Sequence, residues 1–267
     1  MNNKELAFRY DLFITPDWRD RFDTLVNESI ELPVEGRILD INCGTGAHAI
    51  ELAENMRGKA EVVGVDPDPE RIALARAKAL VKKSEATFEQ GIATALRFEN
   101  RAFNLVIGDA SMLRENQMEP VLAEMVRVTE PDGRVLLKLT THGSFDEFFS
   151  IYWEALHEDG LDAEAWGALE ELINERRTYT EAETTADRLG LRKIESVTSK
   201  EDFSYEDAES FLESPLIKDH FLAQWLGILP LEKHDEVRRH IVSIIERERH
   251  DGPFEVSIKA TIVMGTR

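Results

Sequence analysis

Apolar and polar positions follow two different periods along the first half of the chain. Residues 37–43, RILDINC, are an apolar run ending in turn-capable residues, which predicts a buried strand. Residues 44–57, GTGAHAIELAENMR, open with two glycines and continue with Ala47, Ile50, Leu52 and Ala53 at helical spacing. Residues 61–65, EVVGV, predict a second strand that ends at Asp66. Pro67 and Pro69 then introduce ERIALARAKALVKK, with proline in its first turn and lysine at its end, as the two helix termini prefer. Residues 86–90 (ATFEQ) and 103–107 (FNLVI) predict the third and fourth strands. Between 118 and 130, Val121, Leu122, Met125 and Val126 repeat with a helix period. Pro131-Asp132-Gly133 ends that helix, and GRVLLKLT (133–140) predicts a fifth strand. Strands alternating with helices imply βαβ units and a parallel sheet.

The second half is mostly helical. Residues 143–177 read as one or two helices, and Thr180-Glu181-Ala182-Glu183 matches a capping box before a helix ending near Gly190. Residues 192–199 predict a sixth strand, and 204–250 are helical again, punctuated by Pro215 and Pro230. Residues 254–265, FEVSIKATIVMG, alternate Val256, Ile258, Ala260 and Ile262 and predict a long last strand. No internal repeat, low-complexity tract or domain-dividing linker is visible. The expected fold is α/β, a doubly wound and mostly parallel seven-stranded sheet, built as a single domain over 1–267.

Composition narrows the function. Of 267 residues, 32 are Lys or Arg and 52 are Asp or Glu, a formal charge of −20. That sign disfavours nucleic acid and anionic membrane surfaces as partners. The one cysteine, Cys43, excludes an intrachain disulfide and a cysteine metal cluster. His157, His220, His234, His240 and His250 show no metal-type grouping, and no metal is expected. The start, MNNKELAFRYDLF, lacks a signal-type apolar run, and no stretch of about 18 apolar residues occurs. The expectation is a soluble, cytoplasmic protein.

The informative constellation is Asp40-Ile41-Asn42-Cys43-Gly44-Thr45-Gly46 after a strand, with Asp66 at the end of the next. Glycines in such a turn let backbone approach a ligand, and the following helix offers free N–H groups. An acidic residue about 20 positions on can bind two ribose hydroxyls. By itself this piece fits a nicotinamide dinucleotide fold as well.

The wider pattern resembles class I S-adenosylmethionine (SAM)-dependent methyltransferases, specifically the methyltransferase type 11 group that includes quinone-biosynthesis methyltransferases. The matching blocks are ILDINCGTG (38–46), VVGVDPDPERIALAR (62–76), FEQGIATALRF (88–98), FNLV (103–106) and RVTEPDGRVLL (127–137), in family order and spacing. The resemblance implies an antiparallel last strand, where FEVSIKATIVMG stands, and SAM as cofactor. It implies that Asp40, Asn42, Cys43, Gly44 and Gly46 surround the methionine part, largely through backbone. Asp66 takes the ribose hydroxyls, Pro67 packs on the adenine, and Ile92 and Ala93 lie along its edge. Ile107, Gly108 and Asp109 lie near the sulfonium and the acceptor. Three positions depart from the pattern. Asn42 replaces a glycine but tolerates left-handed backbone. Ile92 stands where many members carry an adenine-binding Asp, and Asn104 replaces the Asp of the FDLV block.

Segments 143–177 and 204–250 follow strands five and six, and the family folds N-terminal helices over the same edge. With 1–35 they are expected to form helical lids around the 36–140 core, enclosing a small-molecule acceptor. Segment 143–177 carries Phe145, Phe148, Phe149, Tyr152 and Trp153, and ten acids against two bases. It reads either as a pocket for an aromatic, hydrophobic or cationic acceptor, or as an amphipathic helix with aromatics inward and carboxylates in water. Methyl transfer is an in-line displacement in which the protein aligns the reactants and excludes water. His142, Asp109 and Tyr10 are the candidate catalytic residues, the first two as general bases and Tyr10 closing from the N-terminal arm. His48 reads as packing or cofactor contact, Cys43 as buried, and Trp18, Trp166 and Trp225 as helix-packing aromatics. Two other functions compete: a nicotinamide-dependent oxidoreductase, opposed by the FNLV and PDGR blocks, and a catalytically silent SAM-binding partner. The acceptor and the oligomeric state are not legible.

Overall fold

The computed structural model describes residues 2–267. Met1, at the head of the segment 1–35, lies outside the described residues, as does the side chain of Asp162. Seven strands form one sheet: β1 (Gly36–Ile41), β2 (Ala60–Asp66), β3 (Thr87–Gln90), β4 (Phe103–Asp109), β5 (Thr129–Thr140), β6 (Arg192–Tyr205) and β7 (Phe254–Thr266). Their order is β3-β2-β1-β4-β5-β7-β6. The pairings of β1 with β2 and β4, β2 with β3, and β4 with β5 are parallel, whereas β7 runs antiparallel to β5. The expected architecture is therefore the observed one. Strand order reverses between β1 and β4, and register places Ile41 opposite both Val65 and Gly108. The carboxyl ends of these strands thus open side by side at the switch point, where such sheets bind ligands.

Two compact units are distinguishable. One holds the chain up to Thr140, Thr178–Ser199 and Ala260–Arg267; the other holds Thr141–Arg177 and Lys200–Lys259. In the first, Leu39, Ile41, Val106, Met125, Leu137, Ala186 and Val263 belong to a continuous buried core. It includes α5 (Glu115–Val128) and α8 (Tyr179–Arg188). Helix α4 (Pro69–Lys82) is capped by Asp68, whose carboxylate accepts from the Glu70 and Arg71 N–H groups. The chain starts with α1 (Asn3–Arg9), which passes through a π-helical stretch, Tyr10–Arg19, into α2 (Asp20–Ser29).

Two local readings change. The capping box of α8 is Thr178 with Glu181, not the four residues from Thr180. Both threonines precede an acid at usable spacing, and Thr178 has the extended backbone that a cap needs. Strand β5 begins at Thr129, so Pro131-Asp132-Gly133 lies within it. The β4–β5 register shifts there and Asp132 takes φ +63°, a bulge that absorbs the turn residues.

The second unit contains α6 (Asp146–Glu158), α7 (Asp162–Asn174), α9 (Ala208–Leu212), α10 (Leu222–Leu226) and α11 (His234–Glu248). Phe145, Phe148, Phe149 and Tyr152 are buried. Phe148 stacks on Trp225 at 4.3 Å between ring centres, and Tyr152 donates to the Trp225 carbonyl at 2.9 Å. Glu154 and Glu158 on α6 pair with Arg247 on α11. The amphipathic-helix reading accounts for this segment, except that Trp153 is 42% exposed. Trp18 and Trp225 pack inside as expected, but Trp166 is 53% exposed. No helix among the described residues is long and apolar enough to cross a membrane.

Trp225 touches Phe145, Phe148, Phe149, Phe211 and Phe221. Trp225→Ala is expected to destabilise the protein by about 3–5 kcal/mol in urea denaturation. A loss below about 1 kcal/mol would mean that the ring cluster is not a core.

Candidate functional site

Between β1 and α3 (Ala47–Met56) the chain turns through Asn42 at φ +55°, Gly44 at φ +59° and Gly46 at φ +78°. The asparagine adopts the left-handed conformation, and its side chain has work of its own. Its Nδ2 donates to the Asp109 carbonyl at 2.8 Å, tying the end of β1 to the end of β4 across the switch point. At Gly46 a Cβ would lie 2.6 Å from the Phe88 ring and 2.8 Å from Ala75, so the glycine also satisfies close packing. Gly108 has a packing reason alone: a Cβ there would meet Met125 Sδ at 2.5 Å. Ile107 beside it is fully buried in β4.

Asp66 closes the turn from β2. Its Oδ2 accepts the Gly44 N–H at 2.9 Å and its Oδ1 accepts the Asp68 N–H at 3.0 Å. Burial raises its pKa, and these two N–H groups oppose the rise. Pro67 and Ile92 are exposed next to it, while Ala93 is buried. The Cys43 thiol is buried, and desolvation first, then Asp40 and Asp66, push its pKa well up. It is no nucleophile in this setting.

The N-terminal π-helical stretch meets the turn directly. A Cβ on Gly44 would stand 3.0 Å from the Tyr10 ring and 3.4 Å from Arg19 Nη1. Arg19 Nη1 donates to the Tyr10 hydroxyl at 3.1 Å, and the Arg71 guanidinium lies 3.8 Å from the centre of the Tyr10 ring. Burial raises the Tyr10 pKa. Asp109 is engaged on both sides. Its Oδ1 accepts the Ser111 N–H and hydroxyl, and its Oδ2 lies 3.1 Å from Arg19 Nη1. Trp18 holds the same Ser111 hydroxyl through its indole N–H at 2.9 Å. So Tyr10 and Asp109 meet at Arg19. His142 lies in the second unit with an exposed ring, and its backbone N–H donates to the Arg177 carbonyl.

A second buried ion pair lies in the same unit. Lys138, near the end of β5 and opposite Asp109, donates to Asp23 of α2. His48 Nδ1 is 3.3 Å from Lys138 Nζ, and its Nε2 is 3.3 Å from Asn27 Oδ1. Burial lowers the His48 pKa to about 4, so the ring is neutral and the partners place its proton on Nε2. Asp23 is desolvated, but His48, Lys138 and Arg19 outweigh the burial and bring its pKa to about 2.

Asp40 is different. It is fully buried at the end of β1, and neither carboxylate oxygen has a hydrogen-bond partner among the described residues. Desolvation is the largest influence and raises its pKa to about 6, against the pull of Lys138 and Arg19. Arg19 Nη2 is likewise buried without a partner. Arg19, Lys138 and Asp23 escaped the sequence reading. A lysine in the apolar run VLLKLT was the one visible signal; nothing local marked Arg19 or Asp23. No group of three metal-capable side chains occurs among the described residues.

Sheet order and the antiparallel last strand together define the fold, that of the Rossmann-like methyltransferases. Residues 38–133 match the family model described as a methyltransferase domain, and the chain is similar to class I SAM-dependent methyltransferases. It is 36% identical over 155 residues to the demethylmenaquinone methyltransferase of Thermus thermophilus, covering 57% of this chain and 66% of that one. It is 37% identical over 121 residues to the demethylmenaquinone methyltransferase of Deinococcus radiodurans, covering 44% and 50%. The chain thus spans about half to two thirds of the length of these curated relatives. Among solved structures, the YcgJ protein of Bacillus subtilis superposes with a TM-score of 0.61 at 19% identity, covering 93% of this chain and 98% of that one. Phosphoethanolamine N-methyltransferase 2 of Haemonchus contortus, in complex with phosphomonomethylethanolamine and S-adenosylhomocysteine, gives 0.58 at 16%, covering 100% and 61%. Both share the fold. These matches favour neither the oxidoreductase nor the silent-partner alternative.

The raised pKa of Asp40 makes a stability prediction. Its cost is absent below the unfolded value near 4 and grows as pH rises through about 6. Asp40→Asn is therefore expected to stabilise the ligand-free protein by about 2–3 kcal/mol near pH 7.5, shrinking to about 1 kcal/mol near pH 4.5. Chemical denaturation of both proteins at the two pH values measures this. A gain independent of pH, or none, would show that Asp40 is not a strained carboxylate.

Proposed function

We propose that the protein transfers a methyl group from SAM to a small-molecule acceptor. The observation that carries this reading is the pair of buried groups at the glycine turn with no hydrogen-bond partner among the described residues, the Asp40 carboxylate and Nη2 of Arg19, beside Asp66. Opposite charges held open in this way suit the ammonium and carboxylate of an amino-acid end. The Asp66 oxygens accept one backbone bond each and keep lone pairs for two ribose hydroxyls. Asn42, Cys43, Gly44 and Gly46 supply the wall of the turn, and Pro67, Ile92 and Ala93 are assigned to the adenine. Ile107 and Gly108 form the floor at the end of β4. When bound, the cofactor supplies a methyl group already activated by a positively charged sulfur.

The chain's own part is alignment and exclusion of water. Tyr10 and Arg19 stand on Gly44, so the π-helical stretch fixes the amino-acid end of the site. π-Helical turns are often found at functional sites. Asp109 spends one oxygen on Ser111 and sets the other in an ion pair with Arg19, so we assign it to positioning Arg19 and the loop at Ser111. His142, two residues beyond β5, is the general base for an acceptor that must lose a proton. We put first a demethylated quinol, the acceptor class in the names of the relatives. Burial of Phe145, Phe148 and Tyr152 in their own core removes the argument for a cationic acceptor from that segment.

Calorimetry with SAM, S-adenosylhomocysteine and NAD tests the reading; NAD binding without SAM binding would sink it. Asp66→Ala is expected to weaken SAM binding by about 1.5–3 kcal/mol; unchanged affinity would mean that the ribose is held elsewhere. With a demethylated quinol, His142→Ala is expected to lower turnover at nearly unchanged SAM affinity. Wild-type turnover in that variant would remove His142 as the base.

A further inference from the structure

Helices α6 and α7 are joined by the three residues 159–161 and pack against each other, so they form an antiparallel pair. Helix α6 turns Asp146, Phe149, Ser150 and Trp153 toward its partner, spaced i, i+3, i+4 and i+7 as one helix face requires. Helix α7 faces them with Trp166, Leu169 and Glu170 at the same spacing. The two faces do not close. Ser150 is too small to fill the middle, and a groove of about 480 Å³ is left between the helices, room for one small molecule. Phe149 and Leu169 are buried beneath it. Trp153 and Trp166 are the indoles that stay exposed, outside the ring cluster around Trp225. Trp166 has no hydrogen bond and no ring contact among the described residues. Indole surface left open in a concave site is unfavourable in water until something covers it.

The charge of the groove has one sign. Asp146 and Glu170 line it, and no lysine or arginine among the described residues does. Neither carboxylate takes part in a hydrogen bond or an ion pair among the described residues. Arg176 feels the Asp146 charge without pairing with it, and its guanidinium lies over the Phe145, Phe149 and Phe221 rings at 5.2, 6.0 and 5.9 Å from their centres. Ser150 turns its hydroxyl back onto the Asp146 carbonyl at 2.9 Å. The groove therefore offers aromatic faces and negative charge, and few acceptors placed to take a ligand's N–H.

We propose that this groove binds a small organic cation with an alkylated ammonium head, the two tryptophans enclosing the head and Asp146 and Glu170 supplying the counter-charge. An alkylated ammonium has no N–H to leave unpaired, and its charge is attracted to indole faces. An anion would meet two carboxylates with no cation to offset them. A metal ion would find too few ligands, since no group of three metal-capable side chains occurs among the described residues. A neutral molecule would take water from both carboxylates and give nothing in return. The site lies wholly within the second unit and is independent of the methyl-transfer reading.

Choline and 3,3-dimethylbutan-1-ol have the same shape and differ in carrying a positive nitrogen or a carbon at the branch. Titration calorimetry of the 267-residue chain with each compound, at constant ionic strength and without SAM, reads the site directly. Choline is expected to bind about tenfold more tightly than the alcohol. Trp166→Ala is expected to weaken choline binding about tenfold, and Trp166→Phe and Glu170→Gln about threefold each. Trp166 and Glu170 are exposed, so these variants keep the core and are expected to unfold at the wild-type temperature. Equal binding of the two compounds overturns the proposal, as does choline binding that Trp166→Ala leaves unchanged. Absence of choline binding at millimolar concentration overturns it as well; a dimer that Trp166→Ala dissociates in sedimentation would then identify a second copy of the chain as the occupant.

Discussion

Two cations and three carboxylates share one buried region where β1, β4 and β5 end, and they do not balance. Lys138 and Arg19 each neutralise one aspartate; Asp40 is left over. A buried charge without a partner costs free energy that the surrounding structure must supply. The continuous core beneath the sheet supplies it, with Leu39, Ile41, Val106 and Leu137 close-packed around the strands that carry the charges. In the proposed function the cationic end of the cofactor sits opposite Asp40 and would offset that cost. Stability and binding are thus opposed at a single residue, as functional sites often arrange.

The rest of the site follows from that constraint. Parallel register aligns the ends of β1, β2 and β4, and Asn42 fastens the first to the third. The glycines of the turn leave room for backbone to approach, and Asp66 is oriented by two N–H groups before any ligand arrives. The N-terminal segment completes the set. It delivers Asp23 to Lys138, Arg19 to Asp109 and Tyr10 to Gly44 within fourteen residues of chain, Tyr10 to Asp23. Its π-helical passage and Pro16 separate two ordinary helices at the point where these side chains turn inward.

The fold is legible because β1, β2, β4, β5 and β7 carry apolar runs and the helices between them have periodic apolar positions. Ends are misread where two signals overlap. At β5 the breaker Pro131-Asp132-Gly133 is accommodated as a bulge, and at α8 Thr178 outcompeted Thr180 as the cap. The residues proposed for the cofactor stand out in the sequence because they sit within 70 positions as a contiguous turn and strand ends. Arg19 and Asp23 do not, since their meaning depends on partners about 90 and 115 residues away. Local pattern has no access to pairs so separated. His142 and Trp166 show the converse: residue type suggested a role, and exposure was undecided until the chain was folded.

The central claim is that burial without a partner holds the Asp40 carboxyl at a raised pKa of about 6, which a positively charged cofactor would lower. Carbon NMR of the chain labelled at aspartate side-chain carboxyls reads this directly, with Asp40 assigned by its Asn variant. In the ligand-free protein the Asp40 carboxyl is expected to titrate at about 6 and, with SAM bound, to stay ionised through that range. An Asp40 carboxyl that is ionised down to about pH 4 without ligand, or whose titration SAM leaves unchanged, would contradict the account.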